Sequence, residues 1–381
     1  MAPKTINEII KGKAPLTPDT ALALERVIGI EAGFWNRLEA SHQEFLARRR
    51  DRERLAKAEE WLHEFPIEEM IAQNYLRSRE TTIEQAEELL RFLHVASPVE
   101  WNMRMVAIQG SYRRSKIQPS DPNAVGVWLQ RGENMAHAMD CAPFDAVRFQ
   151  QTLQALRGCT FETTEAFLPK LVQMCQECGV AVVVVPALAG TSAYGFTRWL
   201  SPNKALLQLS DRYQRADVFW FTFFHEAGHL LKHGKREDFL ELDTEREDNR
   251  KEHEADRFAE DLLIPPALYK KIEQDRPYSR AKIKRWADEI GLAPCMIAGR
   301  LRHEKALPST QWTDLLTPID LTAFAVGQSE EKEPPKTLAE LFAGRVGGIH
   351  GGGKAWSEDT GKAFSEGMTE KFGRDRESST L

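Results

Sequence analysis

One stretch constrains this chain more than any other: Phe219-Trp220-Phe221-Thr222-Phe223-Phe224-His225-Glu226-Ala227-Gly228-His229-Leu230-Leu231-Lys232-His233-Gly234, an aromatic run entering an H-E-x-x-H sequence. Its unbroken apolar character and the closing Gly234 predict a helix, with His225 and His229 one turn apart on the same face. Two imidazoles so placed can grip one zinc ion. Glu226, about 100° round the helix, borders that face and can take a proton from a water that the ion activates, the arrangement of a zinc-dependent hydrolase. A buried apolar helix with two satisfied histidines is the plain alternative.

Catalytic zinc uses three protein ligands and keeps one position open, so a third donor is required. The stretch Arg250-Lys251-Glu252-His253-Glu254-Ala255-Asp256-Arg257-Phe258-Ala259-Glu260-Asp261-Leu262-Leu263-Ile264-Pro265-Pro266 offers one. Ala255, Phe258, Ala259 and Leu262 recur at helical spacing and predict a buried stripe, stopped by the two prolines. Glu254 shares the column of Phe258 and Leu262, and an inward carboxylate is costly unless it meets a cation or a metal. Glu254 is therefore the expected third ligand. Glu252, one turn before Ala255 and Asp256, is the alternative, and His253 falls on the polar side. A solvated acidic helix start, favoured by the helix dipole, is the plain reading of either glutamate. His233 continues the histidine column, but eight residues from His225 is about 12 Å along the axis, too far to share one ion. It reads as a helix-end group or a support for a ligand. Tyr194, Tyr213, Tyr269 and His253 are unranked donors for a developing oxyanion.

From about Gly179 to His303 the chain resembles the ImmA/IrrE metallopeptidase family, through the H-E-A-G-H helix, the E-A-D-R-F-A-E-D-L-L-I-P-P helix and the later Ala287-Asp288-Glu289-Ile290-Gly291-Leu292-Ala293-Pro294. The resemblance implies a small zincin-like fold, with zinc held by His225, His229 and Glu254 and with Glu226 as catalytic base. It also implies a transcriptional repressor or antitoxin as protein substrate. Cys295 stands where relatives commonly have glycine, a departure that leaves the zinc residues untouched.

The whole chain, 381 residues with 42% hydrophobic and 28% charged, is that of a soluble globular protein of two or three units. It has no run of about 18 apolar residues and no signal-peptide pattern, which predicts a cytoplasmic protein with no membrane partner. Five scattered cysteines fit a reducing compartment, and the Cys175-x-x-Cys178 pair reads as helix packing. A net charge of −6 argues against a chain that coats nucleic acid, leaving only a local basic face.

Such a face is sought at the N-terminus. Lys4 to Gly12 reads as a short amphipathic helix with Ile6, Ile9 and Ile10 inward. A second helix, with Thr17 as N-cap and Pro18 first, runs to Gly29, and a third begins near Phe34. To about Ala47 this resembles the later part of a HigA-type helix-turn-helix of the Xre/Cro kind. The resemblance implies a recognition helix with Lys4, Thr5, Asn7 and Lys11 facing DNA. The first two helices of that fold are not represented and Ala2 replaces a usual capping serine, so a packing or homodimer role is the alternative. The Arg48–Arg54 cluster reads as a solvated helical connector, and Arg113, Arg114 and Lys116 as surface charge.

Strands are expected only near the zinc helix, at Val180–Val185, Ala193–Trp199 and Ala205–Leu209. An open sheet edge would let a peptide substrate add as a further strand. Two helices are expected after the zinc pair, at Tyr278–Ala287 and Pro294–Arg302, packed through Ile283, Trp286, Met296, Ile297 and Leu301. Beyond Gln328 the chain reads as a linker and tail; Gly348 to Lys354 formally fits a phosphate loop but lacks its Ser or Thr. The expected class is α+β, predominantly helical: a zincin-like domain with a small antiparallel sheet, preceded by a helix-turn-helix remnant and a helical connector. Expected boundaries are 1–57, 58–165, 166–305 and 306–381. The expected function is a zinc endopeptidase cleaving a repressor or antitoxin; the alternative is a DNA-binding regulator whose zinc domain senses or scaffolds.

Overall fold

A computed structural model describes residues 3–112, 121–191, 194–212, 214–233, 245–308 and 310–321. The Arg113, Arg114 and Lys116 cluster, Tyr213, Gly234 and the linker and tail beyond Gln328 lie outside the described residues. The chain divides into two compact units, Met1–Asn102 and Met103–Leu381.

In the first unit, α1 (Pro3–Ile10) precedes α2 (Pro18–Ile28) and α3 (Ala32–Leu55). Local chemistry sets the ends of α2: the Thr17 hydroxyl accepts from the Thr20 amide, Pro18 fills the first turn, and Gly29 adopts φ 79°. Three shorter helices follow, α4 (Glu59–Leu62), α5 (Ile67–Ala72) and α6 (Thr82–Leu93). Leu55, Trp61, Leu62 and Leu89 are buried, with Phe65, Met70, Leu93 and Trp101, while Ile71 and Leu90 are half-buried. The inward orientation expected for α1 is not found. Ile6 is exposed and Ile10 is 78% exposed; Val27 on α2 is 83% exposed. An amphipathic pattern buries its apolar face only where another element covers it, and among the described residues nothing covers these side chains.

Helix α7 (Pro98–Tyr112) leads into the second unit, where α8 (Pro122–Ala138), α9 (Ala146–Arg157) and α10 (Thr164–Gln176) precede the sheet. Asp121 and Asp145 cap α8 and α9 by accepting from the first-turn amides. The strands are β1 (Val180–Val185), β2 (Gly195–Ser201) and β3 (Lys204–Ser210), in the order β1-β3-β2. The sheet is mixed rather than antiparallel. β2 and β3 pair antiparallel as expected, but β1 runs parallel to β3, pairing Val180 with Ala205 through Val185 with Ser210. Val180, Val182 and Val184 face one core with α9, α10 and α11; the other face meets α8, whose Trp128 indole donates to the Val185 carbonyl. Burial on both faces explains the continuous valine run.

The remaining helices are α11 (Ala216–Lys232), α12 (Glu245–Leu263), α13 (Pro266–Gln274), α14 (Arg280–Ile290) and α15 (Pro294–His303). Phe219, Trp220, Phe223, Phe224 and Ala227 of α11 pack into the core. Ile283, Trp286, Met296, Ile297 and Leu301 of α14 and α15 are buried, as expected. The core reaches beyond 166–305: it takes Phe149, Leu153 and Leu156 from α9, and Leu315, Ile319 and Leu321 from the chain after α15. That last segment straps the start of α11, the Ala216 amide donating to Thr317 and the Ile319 amide to Gln214. Cys175 and Cys178 are buried, Cys178 beside the Thr152 hydroxyl. Among the described residues no helix is long and apolar enough to cross a membrane.

Candidate metal centre

α11 carries both histidines toward α12, and the two helices approach closely because their facing residues are small. A Cβ at Gly228 would lie 3.3 Å from the Ala255 Cα and 3.1 Å from the Phe258 ring. This contact fixes how α12 is rotated. Its buried line is Ala255, Ala259 and Leu263, while Phe258 and Leu262 are only partly buried. The inward column is therefore displaced from the expected one, and Glu252 and Asp256 flank it.

The consequence is a convergence of His225, His229 and Glu252, whose ligand atoms lie within 4.8 Å of one another. The two Nε2 atoms are 3.1 Å apart; His225 Nε2 is 3.3 Å from one Glu252 oxygen and His229 Nε2 is 3.5 Å from the other. Donors about 2.0–2.1 Å from one tetrahedral zinc stand about 3.3 Å apart, so these spacings suit one ion. Glu254, the carboxylate expected here, lies elsewhere: one of its oxygens is 3.6 Å from His233 Nε2 and the other 3.7 Å from Arg250.

The outer nitrogens are also engaged. His225 Nδ1 donates to Asp256 at 2.9 Å, which turns Nε2 toward the cluster. His229 Nδ1 lies 3.0 Å from His233 Nδ1, so His233 braces His229 from the helix end. Glu226 is buried; the Thr197 hydroxyl of β2 donates to its Oε2 at 2.5 Å. A Cβ at Gly195 would sit 2.7 Å from Glu226 Oε1, so only glycine lets β2 pass this close to the carboxylate.

Charge follows from this geometry. Burial opposes the His225 charge, but hydrogen bonds to Asp256 and Glu252 hold its proton, raising it to about 10. Burial and the neighbouring His225 push His229 down to about 4. Burial also opposes ionisation of Glu252 and Asp256, yet the bond each makes to His225 keeps both below the ordinary carboxylate range. Burial lifts Glu226 to about 7, against the pull of His225 and Thr197. Carboxylates gathered round two imidazoles make a site suited to a divalent cation.

Asp256, Thr197 and Gly195 were not expected from sequence. Asp256 had a signal, since it lies one turn after Glu252; Thr197 and Gly195 had none, because they reach Glu226 across the tertiary fold. Of the oxyanion candidates, Tyr269 donates its hydroxyl to Glu304, Tyr194 lies beneath the Arg212 guanidinium and His253 is exposed beside Asp256. Lys4, Asn7 and Lys11 are exposed and Thr5 is half-buried, all in the first unit.

Residues 175–302 match the family model of the IrrE N-terminal-like domain, a peptidase family. The matched segment contains the three strands and both helices that carry His225, His229 and Glu252, and does not include α1–α9. No curated protein and no solved structure matches the chain.

Proposed function

We propose that this protein is a zinc-dependent endopeptidase, with His225, His229 and Glu252 as metal ligands and Glu226 as general base. The carrying observation is the spacing of three donor groups from two separate helices, beside a buried carboxylate one residue after the first histidine. The match over 175–302 supports the peptidase class. A repressor or antitoxin as substrate rests on the resemblance to ImmA/IrrE proteins.

Zinc, when bound, polarises water and the scissile carbonyl. Glu226 takes the proton from water at Oε1 while Thr197 anchors Oε2. The water oxygen joins the carbonyl carbon, the C–N bond breaks, and Glu226 returns the proton to the departing nitrogen. Gly195 keeps the wall beside Oε1 free of a side chain.

The test is zinc content by mass spectrometry, followed by peptide cleavage. We expect about one zinc per chain in the wild type and in Glu226→Gln, with Glu226→Gln slower by about 10²–10⁴-fold. Glu252→Ala should lose most of the metal and Glu254→Ala should keep it. No binding after zinc is supplied would sink the peptidase reading; loss in Glu254→Ala alone would reverse the choice of ligand.

A further inference from the structure

Glu226 occupies one side of the histidine column, about 100° round α11 from His225, where Gly195 and Thr197 of β2 meet it. Phe221, one turn before His225, lies about 40° round in the opposite sense. Its ring centre is 6.2 Å from that of His225 and 6.2 Å from that of His303, the last residue of α15, with interplanar angles of 34° and 32°. Both separations are ring contacts. His303 therefore stands on the side of the column away from Glu226, within electrostatic reach of the Asp256 carboxylate that fixes His225. It is exposed, and among the described residues its ring nitrogens make no hydrogen bond. The end of α15 is registered against both helices that carry the metal donors. Arg300 lies 3.0 Å from Glu260 of α12, and the missing side chain of Gly299 makes room for Asp217 of α11.

We propose that His303 is a catalytic residue, the donor that stabilises the oxyanion formed on the scissile carbonyl; the inference rests on the peptidase reading. As water adds, its oxygen bonds to the carbonyl carbon and the π pair moves onto the carbonyl oxygen. Glu226 receives the water proton on the β2 side. The charge growing on the carbonyl oxygen is then met by an N–H from the other side, and no proton leaves the imidazole. Even a neutral imidazole carries the one N–H that this needs, and a donor aimed at developing charge acts most strongly in the transition state. With its ring against Phe221 and its nitrogens unengaged, His303 is open to a substrate. The sequence candidates are placed less well. The Tyr269 hydroxyl is committed to Glu304. His253 is within the same reach of Asp256, but among the described residues it makes no ring contact with α11.

The experiment selects, from a random pool of blocked octapeptides, one that the zinc-loaded full-length protein cuts. A second peptide carries a phosphonamidate in place of the scissile amide, its two phosphoryl oxygens imitating the tetrahedral adduct. We expect His303→Ala to lower kcat by about 10²–10³-fold, with KM and zinc content as in the wild type. Calorimetry should show the phosphonamidate binding weaker by a similar factor, which a merely structural role for His303 would not produce at unchanged KM. His303→Gln, which keeps an N–H, should recover part of both losses. Unchanged kcat, a raised KM with kcat kept, or phosphonamidate affinity equal to the wild type would overturn the role and leave the peptidase standing. Zinc lost together with activity would likewise overturn it, reducing His303 to a support of the fold. No cleavage of any pool peptide by the zinc-loaded wild type would overturn both readings.

Discussion

In the proposed metal site His229 would offer Nε2 to the ion with its other nitrogen protonated, and His233 Nδ1 is placed to accept that hydrogen bond, at 3.0 Å. His233 then carries its own proton on Nε2, facing Glu254 at 3.6 Å. The glutamate that the helical pattern favoured as a ligand therefore borders the site through an intermediary. Removing such a support typically costs about 10–100-fold in metal affinity. We expect His233→Ala to weaken zinc binding by that factor in competition with a chromophoric chelator, with little change in the wild-type fold. Unchanged affinity would reduce His233 to a helix end. Thr197 shows the same logic for Glu226, since a buried carboxylate keeps a defined direction only when a donor fixes one oxygen.

At the scale of elements, close approach is set by missing side chains. α11 and α12 meet at Gly228 and Ala255, and α8 meets β3 where Gly132 faces Gln208. The Gln208 amide is buried and donates to the Trp128 carbonyl at 2.7 Å. A Cβ at Gly132 would lie 1.9 Å from the Gln208 side-chain oxygen and 2.2 Å from its amide carbon, in a residue with no exposed surface. Gly132→Ala should destabilise the second unit by about 1–3 kcal/mol, read as a lower urea midpoint at unchanged slope. Pairing it with Gln208→Ala should recover part of that loss, because the clashing atoms are then gone. A neutral Gly132→Ala would show that α8 can shift away from the sheet.

Across the molecule, one ionic cluster ties the sheet to two helices. Glu133 of α8 lies 2.9 Å from Arg104 of α7 and 3.0 Å from Arg198 of β2, the strand that carries Thr197. Burial works against its charge, but His137 and the two arginines bring it down from 4.5 to about 2. A carboxyl depressed on folding contributes stability that is complete above its unfolded pKa and is lost as pH falls through the folded one. The shift corresponds to about 3 kcal/mol, present in full above about pH 4.5 and disappearing toward pH 2. We expect Glu133→Gln to be less stable at neutral pH and to flatten the acid unfolding curve between those values. A variant that unfolds with the same pH dependence as the wild type would remove Glu133 from this role.

The sequence alone determined what depends on neighbours along the chain. The ends of α2 follow from Thr17, Pro18 and Gly29; α11 follows from its apolar run, and the pairing of His225 with His229 from the pitch of that helix. Each is a short-range preference that packing had no reason to override. The tertiary structure decided the remainder. Ala255, Phe258, Ala259, Leu262 and Leu263 cover a broad arc of α12, and a pattern that wide leaves the inward direction open by about one residue, or 100°. Only the contact of Gly228 with Ala255 turned Glu252 toward the histidines and Glu254 toward His233. The parallel pairing of β1 with β3 was equally out of reach, because a valine run buried on both faces carries no mark of its partner's direction.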